Sequence, residues 1–402
     1  MTIDISYKNY TKKNDIHGTV LYPAVMIAPV QKNILDELID KTVRTKIFDP
    51  FYGSGTSLYE AMEISNDVDL VGCDINPLAN LITRVKLQGV SSEIVKSIQT
   101  LKSLLSEPVN SIYQFPNIEK WFRSDIIASL THVRNCIIQI ENQSDRLFFW
   151  CMICDIVRKY SNTRSSTYKL HVKSMDDIKK IKDNVIHDFI DSVENNYKKY
   201  LKRCNSFVLY KGNTLSLIRN FKNMEFDISI TSPPYGDNGT TVPYGQFSML
   251  PLYWIDKKDL VLEGWEYANF SLIDSMSLGG PFSKDVCKNQ HNHFIEPYLS
   301  QITEHKKRKV TRFFNDYFVF LDEMSRVTKK YIVMTLGNRT VDGIKIDLTK
   351  ITSEYLSDNG FTQIEIMERD IISKRTPKRV SSVNHQPVSS MTKEYVIVMS
   401  RN

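Results

Sequence analysis

Short apolar runs that end in a polar turn and pass straight into helical composition recur along this chain, and that alternation restricts its fold more than any other feature. The clearest is Lys46 to Phe48, which leads into Asp49-Pro-Phe-Tyr-Gly-Ser-Gly-Thr56, after which Ser57 to Glu63 has helical composition. Before it, Ile34, Leu35, Leu38 and Ile39 share one face of a helix predicted over Pro29 to Lys41. Asp69 to Asp74 reads as a second strand ending in an acid, with Asn76-Pro77 opening the next helix. Strand signals return at Phe207–Tyr210, Phe226–Ile230 and Tyr331–Thr335, and Phe361–Glu368 and Tyr395–Ser400 read as two more. The pattern predicts an α/β fold built on a mostly parallel sheet with helices on both faces.

From residue 91 to 204 the pattern turns helical, with candidates at Ser92–Leu105, Ser124–Ile140, Arg146–Arg158 and Ile178–Tyr200, and no glycine lies between Gly89 and Gly212. The expected organisation is therefore one α/β domain in two parts, 1–90 and 205–402, with a helical insertion over 91–204 and an irregular, aromatic insertion over 236–330. No internal repeat or low-complexity tract interrupts it.

Composition excludes several classes. With 42% apolar and 24% charged residues the chain is globular rather than disordered. Its longest uninterrupted apolar run, Leu147 to Cys154, is far short of the roughly 20 residues a membrane-spanning helix needs, so no membrane role is expected. The start lacks the pattern of a secretory signal and the six cysteines are scattered, which points to the cytoplasm. Cys151 and Cys154 have zinc-like spacing, but no second Cys or His pair completes four ligands. They are expected on a buried helix face, with no metal. Lys and Arg exceed Asp and Glu by 52 to 46, and the excess is clustered. Arg158 to Lys173 holds five basic residues and no acid, His305 to Lys309 reads HKKRK, and Ser373 to Arg379 reads SKRTPKR. Each run alone is compatible with a solvated face; together they favour a polyanionic partner.

Two turns carry chemistry. Gly53 and Gly55, at a strand exit and helix start, let a ligand approach the backbone closely. The third glycine of the dinucleotide fingerprint is absent and no Gly-Lys-Ser/Thr follows, so neither a nicotinamide site nor a nucleotide phosphate loop is supported. Asp74, at the end of the next strand, stands where a carboxylate accepts hydrogen bonds from ribose hydroxyls, which suggests an adenosine-containing cofactor. An ordinary βα turn with a helix-capping acid is the other reading of the same residues. The second turn is Thr231-Ser-Pro-Pro-Tyr-Gly-Asp237. Two prolines remove two N–H donors, so carbonyls beside them can accept hydrogen bonds from an amino group, although a lone Pro-Pro-Tyr is also a rigid strand exit.

Together, Asp49-Pro-Phe-Tyr-Gly-Ser-Gly-Thr56 and Thr231-Ser-Pro-Pro-Tyr235 resemble the S-adenosylmethionine-dependent DNA amino-methyltransferases, and the Ser-Pro-Pro-Tyr form is similar to their N(4)-cytosine branch. The resemblance is clear over residues 16–79 and 208–235 and loose over 331–400. It implies a Rossmann-like methyltransferase fold, S-adenosyl-L-methionine as cofactor, duplex DNA as partner in or near the nucleoid, and functional pairing with a restriction endonuclease. Asp49, Phe51, Gly53, Gly55 and Thr56 match the family's cofactor turn and Asp74 its ribose acid, and Thr231 is expected among the cofactor-binding residues. Asn213 falls where the family often has Asp near the adenine, and His17 to Ala24, with Tyr22, resembles the segment that closes over the cofactor. Ser232, Pro233, Pro234 and Tyr235 match the catalytic turn. Serine and carbonyl acceptors would draw the amino nitrogen toward a tetrahedral form whose lone pair can attack the methyl group, and the Tyr235 ring offers a platform for an extruded base. No Pro-Cys nucleophile of the carbon-5 cytosine enzymes is present. Arg158, Arg164, Lys169 and Lys173 flank a loop of small polar residues suited to phosphate oxygens, and Tyr244 lies close enough in sequence to the catalytic turn for a base contact. N(6)-adenine or RNA amino methylation would use the same turn; a catalytically silent DNA-binding protein would not require both turns.

Overall fold

In the computed structural model, which describes residues 7, 10–108, 111–235, 242–260, 270–280, 292–371 and 393–402, seven strands form one sheet in the order β3-β2-β1-β4-β5-β9-β8. Here β1 is Thr45–Asp49, β2 Val68–Asp74, β3 Phe207–Lys211, β4 Phe226–Thr231, β5 Thr328–Leu336, β8 Phe361–Asp370 and β9 Lys393–Arg401. The first five are parallel, and β9 runs antiparallel to both β5 and β8. A separate two-stranded hairpin pairs β6, Arg339–Val341, with β7, Ile344–Ile346.

Alternation of side chains sends successive residues of each central strand to opposite faces. Ile47, Leu70, Val333 and Val398 join one buried cluster, and their neighbours Phe48, Val71, Ile332 and Ile397 join another. On the first face lie the helices Ala28–Leu38, Thr56–Ile64 and Pro77–Gln88; on the second lie Glu304–Val327 and Leu348–Asp358. Covering both faces explains why the central strands read as near-continuous apolar runs.

The stretch 91–204 is helical, as its composition predicts, but it has no core of its own. Leu130, Phe148, Trp150 and Phe189 share the first cluster with Ile34, Leu58 and Leu81. Cys151 and Cys154 are buried on the helix Gln143–Tyr160, as expected of that apolar run. The single helix predicted over Ile178–Tyr200 is instead two, Met175–Lys179 and Val185–Asn196, followed by a 3-10 turn at Tyr197–Tyr200. Arg123 collects the carbonyls of Ile178 and Ile181, and Asp183 accepts from Val185 N, so side chains satisfy the backbone where the helix is interrupted.

The region expected to be irregular over 236–330 is largely helical where described, at Tyr244–Trp254, Lys257–Leu260, Asn292–Leu299 and Glu304–Val327. Tyr244–Trp254 is apolar on nearly all sides and contains Pro251, so it shows neither an amphipathic period nor an uninterrupted helical composition. Glu304–Val327 does carry the period, in Val310, Phe313, Phe314, Tyr317, Leu321 and Met324, behind its basic first turns. Asp259 ties this region to the insertion: Arg146 donates to both of its carboxylate oxygens at 2.7 Å, and Trp150 Nε1 donates to one of them at 2.7 Å. No described helix is long and apolar enough to cross a membrane. The basic run at 373–379 and Cys287 lie outside the described residues.

Candidate active site

In the sheet β1 lies between β2 and β4, where the order of the strands switches, so the carboxyl ends of β1, β2 and β4 lie side by side, the place where ligand crevices form in open α/β sheets. The turn after β1 holds Gly53 at φ +51° and Gly55 at φ +74°, both left-handed. Any Cβ at residue 55 would stand 2.5 Å from Thr83 Cγ2, and Thr83 Oγ1 donates to Gly53 O at 2.9 Å. Backbone conformation and close approach therefore both require glycine at position 55. Gly53 N donates to Asp74 Oδ2 at 2.9 Å and Asn76 N to Asp74 Oδ1 at 2.8 Å, so the acid at the end of β2 shapes the turn after β1.

Asp49 closes the base of the crevice. It is fully buried, and Oδ1 accepts from Thr231 Oγ1 at 2.8 Å and from Phe51 N at 3.1 Å. Among the described residues its Oδ2 is buried with no hydrogen-bond partner of good geometry, though Ser57 lies near enough to draw the carboxyl's pKa down. Burial pushes the Asp49 carboxyl up to about 7, against the pull of these hydrogen bonds, and pushes Asp74 up to about 6. An unpartnered carboxylate oxygen beside a bare glycine turn fits a ligand that brings a cation and hydrogen-bond donors. The ammonium and ribose hydroxyls of S-adenosylmethionine are such groups, and Asp49 and Asp74 are the residues that would hold them.

Directly after β4, Ser232 Oγ lies 3.0 Å from the Tyr235 hydroxyl, which donates to Thr335 O, at the end of β5, at 3.4 Å. Burial raises the Tyr235 hydroxyl well above its ordinary value, so the phenol keeps its proton. Since that one proton goes to Thr335 O, Ser232 is the donor to Tyr235, and the lone pairs of Ser232 Oγ remain as acceptors. Pro233 is buried and Pro234 half-buried. Gly236 and Asp237 lie outside the described residues.

Tyr22 reaches the glycine turn, where its Cε1 lies 3.6 Å from the place a Gly53 Cβ would occupy. Asn76 Nδ2 donates to Tyr22 at 3.1 Å and to Ser248 at 2.8 Å, which binds the N-terminal segment to the helix Tyr244–Trp254. Thr56 is buried in the first helical turn. Phe51 turns its ring edge-on to Phe320, at 5.1 Å. Asn213 is exposed just after β3; its side-chain oxygen accepts from Leu215 N at 2.9 Å, and its amide donates to Met276 O at 3.2 Å. It thereby caps the helix Thr214–Leu217. Tyr244 sits 5.9 Å from Tyr22 between ring centroids, on the cofactor side of the crevice.

The basic loop divides in two. Arg158 is buried with its guanidinium 4.1 Å from the Phe247 ring, donating to Phe247 O, and Lys173 donates to Ser161 O at 2.8 Å. Both bind the loop to the protein. Arg164 is exposed and Lys169 half-buried. No local pattern marks Asn76 or Thr335 as partners of the two turns; Asn76 was legible only as a helix cap.

A mostly parallel sheet of this order, with helices on both faces and a glycine turn after its first strand, is that of a Rossmann-like methyltransferase fold. No family model matches the chain. It is similar to the Type II methyltransferase M.MvaI of Kocuria varians, at 29% identity over 99% of this chain and 93% of that one. It is also similar to the Type II methyltransferase M.MjaII of Methanocaldococcus jannaschii, at 34% identity over 28% of this chain and 19% of the relative. Among solved structures, a precorrin-6y C5,15-methyltransferase from Geobacter metallireducens covers 95% of this chain at 9% identity and a TM-score of 0.32, and covers 93% of its own. The rRNA methyltransferase aviRa of Streptomyces viridochromogenes reaches a TM-score of 0.30 at 9% identity, over 94% and 86%. Those two are too distant to bear on the argument. The chain is thus similar over nearly its full length to a Type II methyltransferase, and its cofactor is S-adenosylmethionine.

The folded chain holds the Asp49 proton more tightly than the unfolded one, so this contribution is present below the ordinary value of 3.8 and is lost as pH rises through about 7. Without cofactor, Asp49→Asn is expected to gain stability relative to the wild type between about pH 5 and about pH 8. Urea unfolding at the two pH values checks this; a constant difference would mean that the carboxyl ionises as freely as in water.

Proposed function

We propose that this protein is a site-specific DNA methyltransferase that transfers a methyl group to the exocyclic N(4) amino group of cytosine, protecting host DNA alongside a restriction endonuclease. The single observation that carries this reading is the acceptor at Ser232, whose proton is directed to Tyr235 and whose lone pairs are left for an amino group. S-adenosylmethionine supplies the electrophilic methyl group. The residues of the chain do the rest. Ser232 Oγ and the Pro233 carbonyl accept the amino hydrogens and favour a nitrogen whose lone pair is free to attack. The Thr231–Asp49 bond holds this turn beside the cofactor turn. An amino group inside a duplex cannot reach such a crevice, so the base is extruded, with the Tyr235 ring as its platform. Serine at the head of Ser-Pro-Pro-Tyr supports cytosine over adenine by resemblance.

Duplex DNA carrying the target site, incubated with labelled S-adenosylmethionine and digested to nucleosides, is expected to yield N(4)-methylcytosine. N(6)-methyladenine would transfer the same chemistry to the adenine branch, methylated RNA alone would change the substrate class, and 5-methylcytosine would overturn the mechanism. Ser232→Ala is expected to lower the single-turnover rate while leaving cofactor and DNA affinities near wild type, because its acceptor matters most as the nitrogen becomes tetrahedral. An unchanged rate would remove Ser232 from the reaction. The loop 161–173 is proposed to lie along the DNA backbone through its outward cations. Arg164→Ala with Lys169→Ala should reduce the slope of log affinity against log salt by about one to two units with cofactor affinity unchanged. A wild-type slope would move the phosphate contacts elsewhere.

A further inference from the structure

Three titratable side chains that take no part in the chemistry above meet in the interior beside the glycine turn: Lys86 is 2% exposed, His17 3% and Glu60 7%. They come from three separate elements, the helix Pro77–Gln88, the 3-10 turn Ile16–Gly18 and the helix Thr56–Ile64. Lys86 Nζ donates to Ser54 O, within the Gly-Ser-Gly turn, at 2.8 Å, and also lies 3.2 Å from His17 Nδ1. His17 Nε2 lies 2.8 Å from Glu60 Oε1.

The donors in this chain run one way. A protonated lysine has no acceptor, so below about pH 7, the value to which burial lowers Lys86, His17 Nδ1 accepts and its Nε2–H donates to Glu60, whose carboxyl burial raises to about 7. Burial, reinforced by the charges of Lys86 and Lys12, lowers His17 to about 2, which keeps the ring neutral; its contact with Glu60 is therefore a hydrogen bond rather than an ion pair. Such a buried polar chain is a poor source of stability, since well-packed apolar side chains of similar volume commonly do as well. What it supplies is geometry. It joins the carbonyl between the two glycines, the helix that follows them and the segment that carries Tyr22 to the turn.

We infer that Lys86, His17 and Glu60 are positioning residues that latch the N-terminal segment and the glycine turn into one unit and so set the shape of the cofactor site. The inference rests on reading that turn as the S-adenosylmethionine site. Other bonds hold the segment further along: Leu21 N donates to Asp155 at 3.1 Å, and Thr19 pairs with the Tyr200 hydroxyl. Breaking the latch therefore loosens the turn without detaching the segment.

The test is steady-state methylation of DNA by the full-length enzyme, with S-adenosylmethionine varied. Lys86→Met is expected to raise KM for S-adenosylmethionine by about tenfold or more, the loss expected for charge-assisted hydrogen bonds, with kcat little changed. Glu60→Leu should behave alike, and Glu60→Gln, which keeps an acceptor for His17 Nε2–H, should restore a KM near wild type. Wild-type KM in folded Lys86→Met, or equal KM in Glu60→Leu and Glu60→Gln, would overturn the latch. Hydrogen exchange on the wild-type protein needs no variant: S-adenosylhomocysteine should slow exchange at residues 16–22 together with 53–57, and protection of 53–57 alone would refute it. Asp74→Ala separates the two readings. If it leaves cofactor affinity intact, the assignment of the turn fails; if it weakens binding while Lys86→Met does not, only the latch fails.

Discussion

The hydrogen bond from Thr231 to Asp49, 2.8 Å long and wholly buried, is the contact on which the rest of the site depends. It joins the last residue of β4 to the last residue of β1, so two turns far apart in sequence open onto one crevice. Parallel pairing of β1 with β4 makes that meeting possible, because it brings both carboxyl ends to the same edge of the sheet. One Asp49 oxygen takes up this bond and the Phe51 N–H, and the other is buried with no hydrogen-bond partner of good geometry among the described residues. Such an orphan is costly in a structure with no reason for it, and a cationic ligand beside it is a sufficient reason.

The helical stretch 91–204 is less an appendage than its place in the chain suggests. Asp155, on the helix Gln143–Tyr160, accepts the Leu21 N–H, and three residues on, Arg158 lies over Phe247. Phe247 in turn meets the Tyr22 ring edge-on, 6.3 Å away between centroids. One helix thus supports the segment over the glycine turn and the base of the loop that presents Arg164. Packing of this kind joins the loop to the cofactor crevice through rigid side chains rather than through a hinge.

The central strands, the glycine turn and the Ser-Pro-Pro-Tyr turn were legible because each rests on local chemistry: an apolar run buried on two faces, residues free of Cβ, and prolines without N–H groups. The helix Tyr244–Trp254 was not, since burial on nearly all sides leaves no amphipathic period. The interruption between Met175–Lys179 and Val185–Asn196 was hidden for a different reason. Arg123, distant in sequence, donates to the carbonyls there. Arg158 looked like a surface cation by composition, yet the ring of Phe247 and nearby carbonyls hold it inside.

By itself, the amino-acid sequence determined which residue types stand at the ends of the strands: a bare glycine turn, acids beside it, and a proline turn poor in N–H donors. Only the tertiary structure decided which of those groups meet. That Ser232 keeps its lone pairs depends on Tyr235 reaching Thr335 O, that Asn213 is turned to a helix cap depends on Met276, and that Lys86 holds the glycine turn depends on His17 and Glu60. Residue type sets what a side chain can donate or accept; the partner that takes up each bond is chosen by chain crossings between residues remote in sequence.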